Sequence, residues 1–319
     1  MNRKLSIVIL AIVIIMVSIV AYSYFSSQTS LKGKITVSGA NALYPMMVEW
    51  AAEFQKINPG VKIDVSAGGA GKGMTDALAG LVDIGMVSRA ITSDETAQGA
   101  FYVSVSKDAV VVTVNKNNPV LQDIQAKGFT ESVFMGIYIY GNITTWGQAV
   151  GNLSVTSKIN VYTRSDSCGA ADVFAKYMGG HAQADLKGTA VNGDPGLAEA
   201  VKSDTSGIGY NNVAYAYDAN TTKPVDGLAI VPIDINGNGI MDTNESFYAT
   251  RADIINAISS GAYPSPPARY ENLVTKGKFT GVTKDFVKWI LTDGQQYCLA
   301  AGEVPLTDAD RSAMLIELG

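Results

Sequence analysis

Two arginines stand where the pattern of the chain puts chemistry. Arg89 follows the run VDIGMVS and Arg164 follows KINVYT, so each is expected at the carboxyl end of a sheet strand. Ligands of open α/β sheets sit at that edge, and a guanidinium there can grip an oxyanion through two parallel hydrogen bonds. Three turns of small residues accompany them, SGANALYP (38–45), SAGGAGKG (66–73) and RSDSCGA (164–170), each between an expected strand and an expected helix. The unpaired N–H groups of a helix start converge at such a junction and the helix dipole adds partial positive charge, which makes each turn a candidate anion cradle. The middle turn is not a nucleotide loop, because Ser66 stands where glycine is required and Gly73 where a hydroxyl residue must follow the lysine. The dinucleotide fingerprint fails at Met74.

A second chemistry is written in residues 234–245, DINGNGIMDTNE, which fit the twelve-residue calcium-loop pattern. Calcium takes six to eight oxygens, and Asp234, Asn236, Asn238, the Ile240 carbonyl, Asp242 directly or through water, and bidentate Glu245 would supply them around the turn at Gly239. The preceding GLAIVPI reads as strand, not helix, so a lone structural calcium loop is expected in place of a paired sensor.

The elements that must position these groups alternate. From Lys34 the chain runs KITVSG, YPMMVEWAAEFQKI, VKIDVSA, GMTDALAGL and VDIGMVS, strand and helix in turn, as in a mainly parallel sheet covered by helices on both faces. AVVVTVN (109–115) reads as a doubly buried strand and a first crossing between two domains, with the return crossing near GLAIVPI (227–233). Domain I is therefore expected to comprise 34–112 and 228–319, including the calcium-type loop, and domain II 113–227. Residues 5–25 carry no charge, follow Asn2-Arg3-Lys4 and have the length of a membrane-spanning helix. They are expected to anchor the chain with its bulk outside the cell, residues 26–33 forming a polar stalk; a cleaved signal segment is the rival. The net charge of −5 argues against nucleic acid, which needs a basic face. The two cysteines, Cys168 and Cys298, are read as independent thiols.

Taken in order, ITVSGANALYP, GGAGKGMTDALAGLVDIGMVSRAIT, GNITTWGQ, YTRSDSCGA, TSGIGY, GAYPSPP and DFVKWILTDGQQY resemble the phosphate-binding protein of phosphate ABC transporters over nearly the whole chain after residue 33. The resemblance implies an α/β, two-lobed periplasmic-binding-protein fold of type II, with the ligand in a cleft between domains that closes by hinge motion. It also implies anion contacts from Leu43 and Tyr44 in the first turn, Ala70 and Gly71 in the second, Ser88 and Arg89 after the third strand, and Arg164, Cys168, Gly169 and Ala170 in the last turn. Leu43, Ala70, Cys168 and Ala170 stand where the family carries hydroxyls, and Arg89 where many members carry a proton-accepting aspartate. Phosphate is the first expectation, with sulfate, molybdate and tungstate as alternatives, and the partners implied are transporter transmembrane subunits with an ATPase behind them. A monomer is expected. A phosphatase using the same pocket is the competing class; His181 is the only histidine and no G-x-S-x-G turn is present, so catalysis is not expected.

Overall fold

The computed structural model describes residues 31–319. The expected anchor at 5–25 and the first part of the stalk lie outside the described residues. Lys32 and Gly33, assigned to the stalk from the sequence, already belong to the first strand. Among the described residues no helix is long and apolar enough to cross a membrane.

Among the described residues ten strands are hydrogen-bonded in the order β2-β1-β3-β9-β4-β7-β5-β6, with β8 and β10 (Val304–Pro305) also on β4. Strand β1 (Lys32–Gly39) pairs in parallel with β2 (Gly60–Ala67) and β3 (Ile84–Val87). On the other side, β5 (Asn160–Arg164) pairs in parallel with β6 (Thr189–Val191) and β7 (Gly207–Asn212). Between the two groups runs β4 (Ala100–Asn115), whose first half pairs antiparallel with β9 (Ala268–Lys276) and whose second half pairs with β7 and with β8 (Leu228–Val231). Its segment from Val110 to Val114, four valines and Thr113, is sealed on both faces, as expected of a doubly buried strand.

Two hydrophobic cores flank this shared strand. The first gathers Ile35, Trp50, Phe54, Met86, Val103, Leu273, Phe286 and Trp289, with the Phe54 ring tilted against Phe286 and edge-on to Trp289 at centroid distances of 5.0 and 5.5 Å. The second gathers Val110, Val111, Val112, Val114, Phe134, Trp146, Phe174 and Tyr210, and it also takes in Ile230, Ile233, Tyr248, Ile254, Ile258 and Tyr263. The return crossing is therefore not at 227–233. Strand β8 stays with the second lobe because its four buried residues extend the ladder of β4, and the chain returns only through β9. The calcium-type loop goes with the second lobe for the same reason: the Asp234 N–H donates to the Phe129 carbonyl (3.1 Å) and the Met241 N–H to that of Ala126 (2.9 Å).

Candidate anion site

Strand β5 ends on Arg164, whose side chain is fully enclosed. Its Nε donates to Asp166 Oδ1 (2.8 Å), Nη2 to Asp166 Oδ2 (2.6 Å) and Nη1 to Asp194 Oδ2 (2.6 Å). Burial works against the charge, but Asp194 and Asp166 outweigh it and hold the guanidinium more firmly protonated than usual. Asp166 is pulled below the ordinary carboxylate range, the Arg164 bond overcoming its own burial. A guanidinium carries five donors and three are engaged here, so one N–H on each terminal nitrogen is left without a protein partner.

Asp194 had no sequence expectation attached to it. It lies in the first turn of the helix Gly193–Lys202, where its Oδ1 accepts the N–H of Asn212 (3.0 Å) and its carbonyl accepts from Asn211 Nδ2 (3.0 Å). The run Asn-Gly-Asp-Pro ahead of an apolar periodicity marked a helix start with an acid in its first turn; nothing in it pointed to an arginine 30 residues away.

The second and third turns meet across the lobes. The Gly71 N–H donates to the Ser167 carbonyl (3.1 Å). A β-carbon on Gly69 would fall 2.6 Å from that carbonyl, and one on Gly169 would fall 2.1 Å from the Ser88 carbonyl. Glycine is required at 69 for a second reason, its φ of +87° at the N-cap of the helix Ala70–Leu78. The structure thus brings Ala70, Gly71, Ser88, Arg164, Cys168, Gly169 and Ala170 to one junction. Leu43 and Tyr44 begin the helix Tyr44–Ile57; Leu43 is sealed in the first core, and the Tyr44 N–H is turned to the Asn41 carbonyl (3.2 Å). Their turn reaches the second lobe through Tyr215, whose hydroxyl donates to the Asn41 carbonyl (3.1 Å).

Arg89 departs from its expected role. Its guanidinium is forked on Glu95 (3.0 and 2.6 Å) and donates to the Ala90 carbonyl (2.9 Å). Glu95 is the reciprocal partner of Thr92 in a capping box over the short helix Ser93–Ala97, and Arg89 closes over that box. The T-x-x-E signature was legible in the sequence and identified the acid that claims Arg89. Cys168 caps the helix Gly169–Tyr177 through Sγ, which accepts the Ala171 N–H (3.4 Å), and burial pushes its thiol up to about 12, so it is a structural thiol. Cys298 lies unpaired in the first core.

A family profile described as a PBP superfamily domain matches residues 26–294. The chain belongs to the PBP superfamily. Among curated members, the phosphate-binding protein PstS of Bacillus subtilis is 24% identical over 88% of this chain and 83% of its own length. Protein SphX of Synechococcus elongatus is 30% identical over 72% of this chain and 68% of its own. A substrate-binding protein of Clostridium perfringens solved with bound phosphate shares the fold at a TM-score of 0.69 and 24% identity, covering 86% of this chain and all of that one. An ABC-type phosphate transport receptor from Vibrio cholerae does so at a TM-score of 0.62 and 21% identity, covering 85% of this chain and 100% of that one. The α/β, two-lobed architecture expected from the sequence is therefore that of the superfamily.

Proposed function

We propose that this protein captures inorganic phosphate outside the cell membrane and delivers it to an ABC transporter, without altering it chemically. One observation carries the reading: Arg164 is enclosed between Asp166 and Asp194 with two donors unspent, at the junction of the turns 69–71 and 164–170. A cation held in this way is aligned before the ligand arrives, and an oxyanion of tetrahedral shape suits its remaining edge. The name of the Bacillus subtilis relative, a phosphate-binding protein, supports phosphate over other oxyanions. The site residues proposed are Arg164 with Ala70, Gly71, Ser88, Gly169 and Ala170; Arg89 serves the cap beside them. Attachment through residues 5–25, a monomeric state and docking on transmembrane subunits complete the proposal.

Calorimetric titration of ligand-stripped protein with phosphate, sulfate, molybdate and tungstate tests it. Phosphate is expected to bind tightest, with a Kd on the order of micromolar or below. Tighter binding of one of the other three overturns the ligand.

We further propose a structural calcium ion in the loop 234–245. Asp234 and Glu245 are buried and accept six backbone N–H bonds of the loop, from Gly237, Asn238 and Gly239 on Asp234 and from Ile235, Asn236 and Asp242 on Glu245. The Asn236 and Asn238 amides donate to Asp242 (2.8 and 2.9 Å). In this arrangement no three acidic, histidine or cysteine groups among the described residues stand close enough to hold a metal. Binding therefore requires the two amides to turn their oxygens inward and release Asp242. Calcium at ~1 mM is expected to raise the unfolding midpoint by a few degrees, as for any ligand present well above its Kd. The rise should vanish in Glu245→Gln; a shift that survives this substitution, or no shift in the wild type, removes the ion.

A further inference from the structure

The crossing strands hold a buried arginine that touches both lobes. Arg269 of β9 lies opposite Asp108 of β4 and is only 8% exposed. Its Nε donates to the carbonyl of Ser88 (3.3 Å), the residue that faces Gly169 at the junction of the turns. Its Nη2 donates to Oδ1 of Asn212 at the end of β7. The backbone N–H of the same Asn212 donates to Asp194, and Asp194 binds Arg164. A continuous series of polar contacts therefore runs from the first-lobe wall, through a hinge-strand side chain, to the arginine of the second-lobe wall. Asp108 Oδ2 (3.3 Å) and Glu271 Oε1 (3.2 Å) keep the guanidinium in this buried place.

We propose that Arg269 is a positioning residue for anion capture, fixing the Ser88 wall and the Asp194–Arg164 pair relative to each other across the hinge. The proposal rests on the phosphate-capture reading above. Its physical basis is geometric. A planar guanidinium presents donors in two fixed directions, and here one direction serves each lobe. A lysine has the charge to satisfy Asp108 and Glu271 but a single nitrogen, which cannot hold Ser88 and Asn212 together. Asp194 is in turn oriented by the backbone of the residue that Arg269 holds, so displacement at the hinge is passed to Arg164 by direct contact.

The test is a double-mutant cycle on phosphate affinity with Arg269→Lys and Asn212→Ala, alongside ligand-free unfolding of each variant. Each single variant is expected to weaken phosphate about tenfold or more, and the double variant no further than the weaker single one, since both cut the same contact. Losses that multiply, or affinities within about twofold of the wild type, overturn the proposal. Lost stability alone does not produce this non-additive pattern in a ligand affinity. Should Arg269→Lys fail to fold, Asn212→Ala decides by itself: affinity within about twofold of the wild type overturns the proposal and a tenfold loss supports it. A wild-type protein that prefers another tetrahedral oxyanion overturns the ligand assigned above, and the same cycle is then read with that oxyanion; binding to none of the four overturns both.

Discussion

Arg164→Ala is expected to abolish phosphate capture, lowering affinity by at least about 100-fold. Hydrogen bonds from a charged donor contribute roughly 1.5–3 kcal/mol each, and two such donors are left for the ligand. The same substitution leaves Asp166 and Asp194 enclosed without their cation, and breaking a buried pair in this way costs roughly 3–5 kcal/mol of stability. The loss of binding must therefore be separated from a loss of fold. Arg164→Lys does so: the charge between the two aspartates is kept, the planar fork is lost, and the protein should fold while still binding at least about tenfold more weakly. Titration calorimetry and circular dichroism on both variants decide the matter. A folded Arg164→Ala protein with wild-type phosphate affinity would remove Arg164 from the site and with it the basis of the functional reading.

Glu271→Gln is expected to make the protein more stable in alkaline solution relative to the wild type. Glu271 has no exposure, and apart from the Arg269 contact at 3.2 Å neither carboxylate oxygen has a polar partner. Burial raises its pKa to about 8 against the pull of Arg269, with Asp108 and Asp194 adding to the rise. Asp108 is lifted by burial to about 6, and Glu303 is raised as well, so three buried carboxyl groups face Arg269 from β4, β9 and the segment before β10. Arg251, from the helix Arg251–Ser260, is the other cation acting on Asp108 and Glu303. For a carboxyl whose folded pKa is raised, the folded state binds more protons than the unfolded one. Its favourable contribution is then complete below the ordinary value of 4.5 and is lost as pH climbs through about 8. At ~1.4 kcal/mol per pKa unit the loss amounts to a few kcal/mol. A glutamine of the same shape cannot ionise. Urea unfolding of both proteins at about pH 5.5 and about pH 8.5 should show a smaller decline in the variant. Equal declines in the two proteins exclude Glu271 as the titrating group.

Much of this arrangement was legible in the sequence, and the exceptions have physical causes. Arg164 and the two turns that meet beside it followed from local pattern, because a strand end, a glycine and a helix start are encoded within a few residues of one another. Asp194, Asn212 and Arg269 did not, since each acquires its role from a partner brought near only by the folded sheet. The pairing of Arg89 was not anticipated although its partner lies six residues on, because strand-end position was weighed and the capping box was not. The lobe boundary failed for a different reason. An apolar run such as LAIV fits any buried strand, and only pairing with β4 shows which core it belongs to.

The pairing of β4 with β9 has a consequence for how such a chain can be rebuilt. The Val110 N–H donates to the Pro267 carbonyl (3.3 Å), and Ala109 lies opposite Ala268. Residues 110–267 thus leave the first lobe and rejoin it at neighbouring positions, as a single long excursion from one β-ladder. Two cuts there would free the second lobe without threading any strand through another. The entropy of closing so long an excursion grows only with the logarithm of its length, so its size is a weak constraint. The second lobe is accordingly joined to the first by a backbone connection confined to one ladder, its other ties being side-chain and turn contacts such as Tyr215 on Asn41 and Arg251 on Ala300.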